Sequence, residues 1–355
     1  MIISRYLNFE ILKLSLAILF GLFLLFSFFD FLNFFLSKKN NVNFLESISY
    51  LFLRMPQLFY ELSTTAFLLG AFIAQMNLSM NNEYQIARTY GYGLKKIIIS
   101  RIKFGFIISI SIFIVGEFLA PKFELESQKI KYKNLFGEIM ASRFDSGLWV
   151  KDQNSFINVY TLNEKDNLLK IKIFEFDNDS QLRNITSAKE AIYYGNNIWQ
   201  LSEVNQTLFH SNNIEIKTYP TLRWRSVLNP QLLSIFVVIP EKMSSRDLYK
   251  YVEYLDSNNQ DTKRFKIAFW QKITYPFTLI FLIIFPLFFS ISNKRTMANS
   301  NKFFWGIFIG IGFNLFNKLF GHLGLILNWN ALITSFLPII LLTFIFLIIS
   351  KITKV

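Results

Sequence analysis

Asn314, Lys318 and His322 recur at i, i+4 and i+8 inside an otherwise apolar run, which places all three on one face of a helix. A lysine at membrane depth costs about 3 kcal/mol or more unless it faces a cavity or reaches an interface. This face is therefore a candidate lining for a polar pathway. The competing reading is that Lys318 and His322 snorkel to a nearby water interface. Asp30 poses the same question in the first apolar run, and an Asp30–Lys318 ion pair is one arrangement that would satisfy both charges.

Other chemistry is excluded by what the chain lacks. There is no G-x-x-x-x-G-K-[ST] loop to cradle phosphates, so ATP hydrolysis is not expected of this chain. Cysteine is absent, and only His210 and His322 represent histidine, so no disulfide, thiolate nucleophile or zinc centre is expected. No cofactor is implied. The Gly-Tyr-Gly at 91–93 sits in a basic loop and reads as the turn ending a short helix, not as an ion filter. No nucleophile elbow or paired-carboxylate site stands out, and an enzyme is not expected.

The elements that hold these residues are apolar spans. Hydrophobic residues make up 52% of 355, with 42 Phe and a mean hydropathy of +0.33, a composition that belongs to a polytopic membrane protein. A span needs about 20 apolar residues. Six stretches qualify, near 13–36, 56–80, 97–120, 267–291, 303–327 and 331–350. The first apolar run, Leu14 to Leu36, exceeds a signal-peptide core and is expected to remain as an anchor. The third span is expected to stop at Pro121, with a helical extension over 123–140.

Between the third and fourth spans lies a polar insert, residues 121–265. It holds 19 Lys+Arg and 18 Asp+Glu, whereas the flanks hold 18 and 6, so the net charge of +13 belongs to the flanks. These basic residues lie in short loops beside apolar runs, which fits the positive-inside rule and argues against a nucleic-acid partner. Arg88, Lys95 and Lys96 in one loop, Lys294, Arg295 and Lys302 in another, and Lys351 and Lys354 at the end put both termini in the cytoplasm. Lys38, Lys39 and Arg54 oppose that orientation without reversing it. The insert then lies outside the cytoplasm. From Ser155 to Trp224 it alternates with period two between turn signals, predicting an antiparallel sandwich, jelly roll or open groove. Ser244 is placed to cap a following helix.

The segments 81–93 (NNEYQIARTYGYG), 116–121 (GEFLAP), 146–156 (SGLWVKDQNSF) and 239–277, in that order and spacing, resemble the LptF/LptG permease family, on its LptG side. The resemblance spans nearly the whole chain. It implies three transmembrane helices with a cytoplasmic coupling loop at 81–96 (1–120), a periplasmic β-jelly-roll domain with helical flanks (121–265), and three more transmembrane helices (266–355), in the bacterial inner membrane. The implied role is a permease subunit of the ABC transporter that extracts lipopolysaccharide. The implied partners are a second such permease, an LptB-like ATPase dimer and LptC/LptA-like periplasmic proteins.

Carried onto this sequence, the resemblance places Glu83, Arg88 and Gly91 in the loop that docks into the ATPase. It places Asp30, Asn314, Lys318 and His322 at the lateral gate, with Lys38, Lys39 or Lys318 as substitutes for a basic residue the family often has in its first span. Gln153 and Asn259 stand where the family usually has glycine. The alternative from another class is an envelope scaffold whose β domain only binds other proteins. A sheet with one apolar face exposed would serve as a shelf for lipid, and residues such as Ile157 and Ile171 are equally suited to an ordinary core.

Overall fold

The computed structural model describes residues 2–36, 44–132, 148–162, 167–177, 179, 181–210, 213–226, 239–291 and 299–352. Six long helical stretches flank a β domain in the expected three-plus-three order. The first half comprises α1 (Ile2–Phe35), α2 (Phe44–Met80), the short α3 (Glu83–Thr89), and α4 (Leu94–Ile114), which continues through a π turn (Val115–Leu119) into α5 (Ala120–Tyr132). The second half comprises α6 (Ser245–Ser257), α7 (Lys263–Ile291), α8 (Asn299–Ile326) and α9 (Ala331–Ile352). Among the described residues, α1, α2, the α4–α5 stretch and α7 are long and apolar enough to cross a membrane. At 28 and 22 residues, α8 and α9 reach about 42 and 33 Å at 1.5 Å per residue, also enough for the hydrocarbon core. α2 is the central helix: α1, α5, α7 and α8 all pack on it.

Two prolines do not act as the sequence reading supposes. Pro56 lies within α2, which starts twelve residues earlier, at Phe44. Pro121 does not end the third span, because it is the second residue of α5, which follows the π turn directly. A proline removes an N–H and crowds the carbonyl one turn before it. The wider π turn loosens the hydrogen-bond ladder at that point, and the helix continues to Tyr132.

The strands are β1 (Leu148–Asp152), β2 (Ser155–Leu162), β3 (Leu168–Phe176), β4 (Leu182–Gly195), β5 (Ile198–Phe209) and β6 (Ile214–Arg225). They form one antiparallel sheet in the order β1-β2-β3-β4-β5-β6, so each strand pairs with its sequence neighbour, and no jelly-roll crossover occurs among the described strands. Period-two alternation puts apolar residues in register across it. Val159, Ile171, Ala188, Val204 and Tyr219 form one row, and Leu168, Ala191, Leu201 and Leu222 another. The sheet curls onto itself. Ser226, just past β6, donates a 2.5 Å hydrogen bond to Asp152 at the end of β1.

The enclosed face forms one cluster with Leu248, Tyr251, Tyr254 and Leu255 of α6 and Ala268 of α7. Trp199 is its largest fully buried side chain. Ile157 and Ile171 are buried in this cluster, so of the two roles open to them they serve as core. Gln153 (φ 51°) and Asn259 (φ 52°) are both left-handed, which explains why glycine suits these two turns. Their side of the fold is stitched together: Gln153 N–H donates to Asn258 Oδ1 (2.7 Å) and the Tyr254 hydroxyl to the Lys151 carbonyl (2.7 Å).

Candidate functional site

At the end of α1 that the charge pattern assigns to the outside, Asp30 lies 3.0 Å from Arg54 of α2. Arg54 also donates to the Tyr50 hydroxyl (2.9 Å), and Tyr50 stacks on Phe34 with ring centroids 4.3 Å apart. The counter-ion of Asp30 is thus Arg54, not Lys318. Sequence reading placed Arg54 in a loop; in the structure α2 begins ten residues before it, which brings the guanidinium beside α1. Lys318 and His322 sit one turn apart on an exposed face of α8, among the exposed Leu315, Leu319 and Ile326. Asn314 is on the same helix at the preceding turn, and its side chain lies outside the described atoms. Lys38 and Lys39 lie outside the described residues. α1 packs against α2 and α4, and α8 against α2, α7 and α9, so α1 and α8 are not extensively packed on each other. Asp30 is paired with Arg54 of α2, while Lys318 lies on the exposed face of α8.

The opposite end carries α3. Its Tyr84 and Ala87 are buried, while Ile86, Arg88 and Tyr90 are exposed. Gly91 adopts φ 74°, its N–H bonds the Arg88 carbonyl and the Tyr92 N–H bonds the Ala87 carbonyl, both at 2.9 Å. This paired pattern with a left-handed residue is a Schellman ending. The Gly-Tyr-Gly is a helix stop, as its sequence setting suggests. Glu83, at the start of α3, accepts from the Asn81 side-chain amide (3.4 Å). Arg101 of α4, 1% exposed, joins the same elements: it donates to Asn8 of α1 (2.5 Å) and to the Tyr84 hydroxyl (3.4 Å). α3 is therefore bonded to α1 and α4 through Arg101, while Ile86 and Arg88 stay exposed on its outer face. Sequence reading missed Arg101, Ile86 and Tyr90; the buried arginine had a signal, since a basic residue inside an apolar helix needs partners.

A third constellation was also missed. Glu117, in the π turn, accepts the Ser245 backbone N–H on both carboxylate oxygens (2.9 and 3.0 Å) and the Ser245 hydroxyl (2.9 Å). Lys272 of α7 lies 3.6 Å from the same carboxylate, donates to the Met243 carbonyl (2.5 Å) and faces the Tyr60 ring of α2 at 5.8 Å. A second buried pair, Lys242–Glu124 at 2.6 Å, lies alongside. Ser244 caps α6 through the Asp247 N–H (3.0 Å), so the start of α6 is fixed both by its own cap and by a membrane helix. Gly116 permits this approach: a Cβ there would lie 2.2 Å from the Tyr60 ring. The arrangement is a rigid joint between the helix pair α4/α7 and the β domain, and it contains no acid–base pair open to a substrate.

The sequence that builds these helices and this sheet is similar to named proteins. A profile described as lipopolysaccharide export system permease LptF/LptG matches residues 5–351. The chain is 26% identical over 304 residues to the lipopolysaccharide export system permease protein LptG of Haemophilus influenzae, covering 85% of each chain. It is 25% identical over 284 residues to the LptG protein of Escherichia coli strain K12, covering 79% of this chain and 78% of that one. The chain belongs to the lipopolysaccharide export system permease LptF/LptG family.

Proposed function

We propose that this chain is a permease subunit of the ABC transporter that draws lipopolysaccharide out of the inner membrane and passes it toward a periplasmic bridge. The observation that carries this reading is the family match along residues 5–351, with relatives named for lipopolysaccharide export along most of their length. The geometry is consistent with it. α1 and α8 each pack on α2 and keep exposed apolar residues, so a second permease of the same type is the natural complement that sets α1 of one subunit beside α8 of the other. Lys318 and His322 then line the gap through which an anionic, many-chained lipid enters. Lys38 and Lys39 lie in sequence just beyond Asp30 and contribute cations at the outer interface.

The exposed Ile86 and Arg88 of α3, with Tyr90 just past its end, form the knob that enters an LptB-like ATPase dimer, where ATP is hydrolysed, while Arg101 ties that knob to α1 and α4. On this reading α3 and both termini are cytoplasmic and the sheet is periplasmic, facing LptC/LptA-like proteins; the basic loops support that orientation. The test is purification from native membranes in mild detergent. An ATPase and a second six-span chain that co-elute and show lipid-stimulated hydrolysis are expected; isolation of this chain without either overturns the assignment.

A further inference from the structure

An apolar cleft of about 690 Å³ lies between α1, α2 and the π turn, and the reading above makes no use of it. Leu16, Phe20 and Phe23 line it from α1, Pro56 from α2, and Val115 and Leu119 from the π turn. All nine of its lining residues are apolar, and three membrane-crossing stretches supply them, so water is a poor occupant and hydrocarbon a good one. The volume falls in the range of single small-ligand pockets. It suits one hydrocarbon chain and is too small for a lipid with many chains. Three residues beyond Leu119 along the same helix is the exposed Lys122, a cation that can pair with a headgroup phosphate.

The π turn has two faces. Val115 and Leu119 wall the cleft, whereas Gly116 presses on Tyr60 and Glu117 holds Ser245 and Lys272. π turns inside α-helices concentrate at functional positions, because they can revert to the α ladder with a rotation of everything beyond them. We propose that the cleft binds one acyl chain of a two-chain glycerophospholipid, with the phosphate on Lys122, and that the π turn transmits its occupancy to the Glu117 joint. A filled cleft holds the turn in its present form and keeps α6 and the sheet fixed over the membrane helices. An empty cleft lets the turn relax and frees the joint. This site is distinct from the exposed face of α8 and does not depend on the identity of the cargo.

The test uses the assembled complex in nanodiscs of phosphatidylethanolamine and phosphatidylglycerol. A benzophenone side chain is placed at Phe20, 63% exposed at the cleft, or at Ile107, 64% exposed on α4 and not among the cleft-lining residues, as a control for bulk lipid. After detergent washing and irradiation, mass spectrometry is expected to find glycerophospholipid adducts at Phe20 in several-fold excess over Ile107. Equal adducts at both positions, or adducts at Phe20 only with lipopolysaccharide or protein, overturn the site. In the second arm, hydrogen exchange at the Ser245 amide is expected to rise about tenfold on delipidation, one decade of the local opening equilibrium. Leu16→Trp fills the cleft with protein and is expected to remove that sensitivity. Ser245 exchange unchanged by delipidation in the unsubstituted complex overturns the transmission step, whether or not the tryptophan variant folds.

Discussion

Replacing Glu117 with alanine removes the acceptor of the Ser245 N–H and hydroxyl and leaves the Lys272 ammonium, 5% exposed, with the Met243 carbonyl, the Tyr60 ring and the charge of Asp247 in place of its ion-pair partner. Removing one partner of a buried ion pair costs about 3–5 kcal/mol, because the remaining charge stays desolvated and uncompensated. Lys272→Met is milder. The Glu117 carboxylate, 12% exposed, keeps all of its Ser245 hydrogen bonds, so the expected loss is about 1–3 kcal/mol. The double variant Glu117→Gln with Lys272→Met leaves neither position charged, and neutral replacements of similar volume often restore stability. The expected order of destabilisation is therefore Glu117→Ala, then Lys272→Met, then the neutral double variant. Thermal unfolding of the detergent-solubilised full chain, followed by near-ultraviolet dichroism and by exchange at Ser245, reads this order. A Glu117→Ala protein that melts with the parent, or a double variant that is the least stable of the three, refutes the account of the joint.

Gly91→Ala forces a Cβ into the left-handed region at φ 74° and is expected to cost about 1–2 kcal/mol at the end of α3, lowering ATPase affinity in a co-purification titration without changing total expression. Glu83→Lys is expected to uncouple hydrolysis from transport, and full coupled ATPase activity would remove Glu83 from the docking surface. Trp199→Ala empties the centre of the β domain and should cost about 3–5 kcal/mol, read as new protease cleavage between residues 148 and 226 while the membrane helices stay intact. Burial pushes the Tyr251 hydroxyl up to about 12 in the fold, above its ordinary value near 10. The stability contributed by keeping it neutral is complete below pH 10 and is lost as pH rises from 10 toward 12, by about 2 kcal/mol. Tyr251→Phe should flatten the melting temperature against pH over that window.

Much of the architecture was legible in the residues. Apolar runs of membrane length marked the spans, the balance of 19 basic and 18 acidic residues marked the insert, and strict alternation marked β2 and β3. Ser244 was readable as a cap because its partner is three residues away. What stayed hidden depends on contacts between distant segments. Pro121 looked like a stop because a π turn has no sequence signature, and Arg54 looked like a loop charge because its counter-ion, Asp30, is 24 residues away. Glu117 and Ser245 are separated by 128 residues and meet only after the sheet has returned the chain to the membrane. Lys318 and His322 were rightly read as one helix face, but a single subunit does not place Asp30 opposite them. The apolar strand residues suited both a lipid shelf and a core. The bond from Ser226 to Asp152 and the cover from α6 show that Ile157 and Ile171 are core, whereas Ile214 and Ile216 of β6 are exposed.

The most direct test of the transport reading is depletion of this chain in its host, followed by pulse labelling of new lipopolysaccharide and separation of the two membranes by density. The account predicts that labelled lipopolysaccharide accumulates in the inner membrane within one generation and that restoring the chain releases it outward. Delivery to the outer membrane at the normal rate after depletion would contradict it.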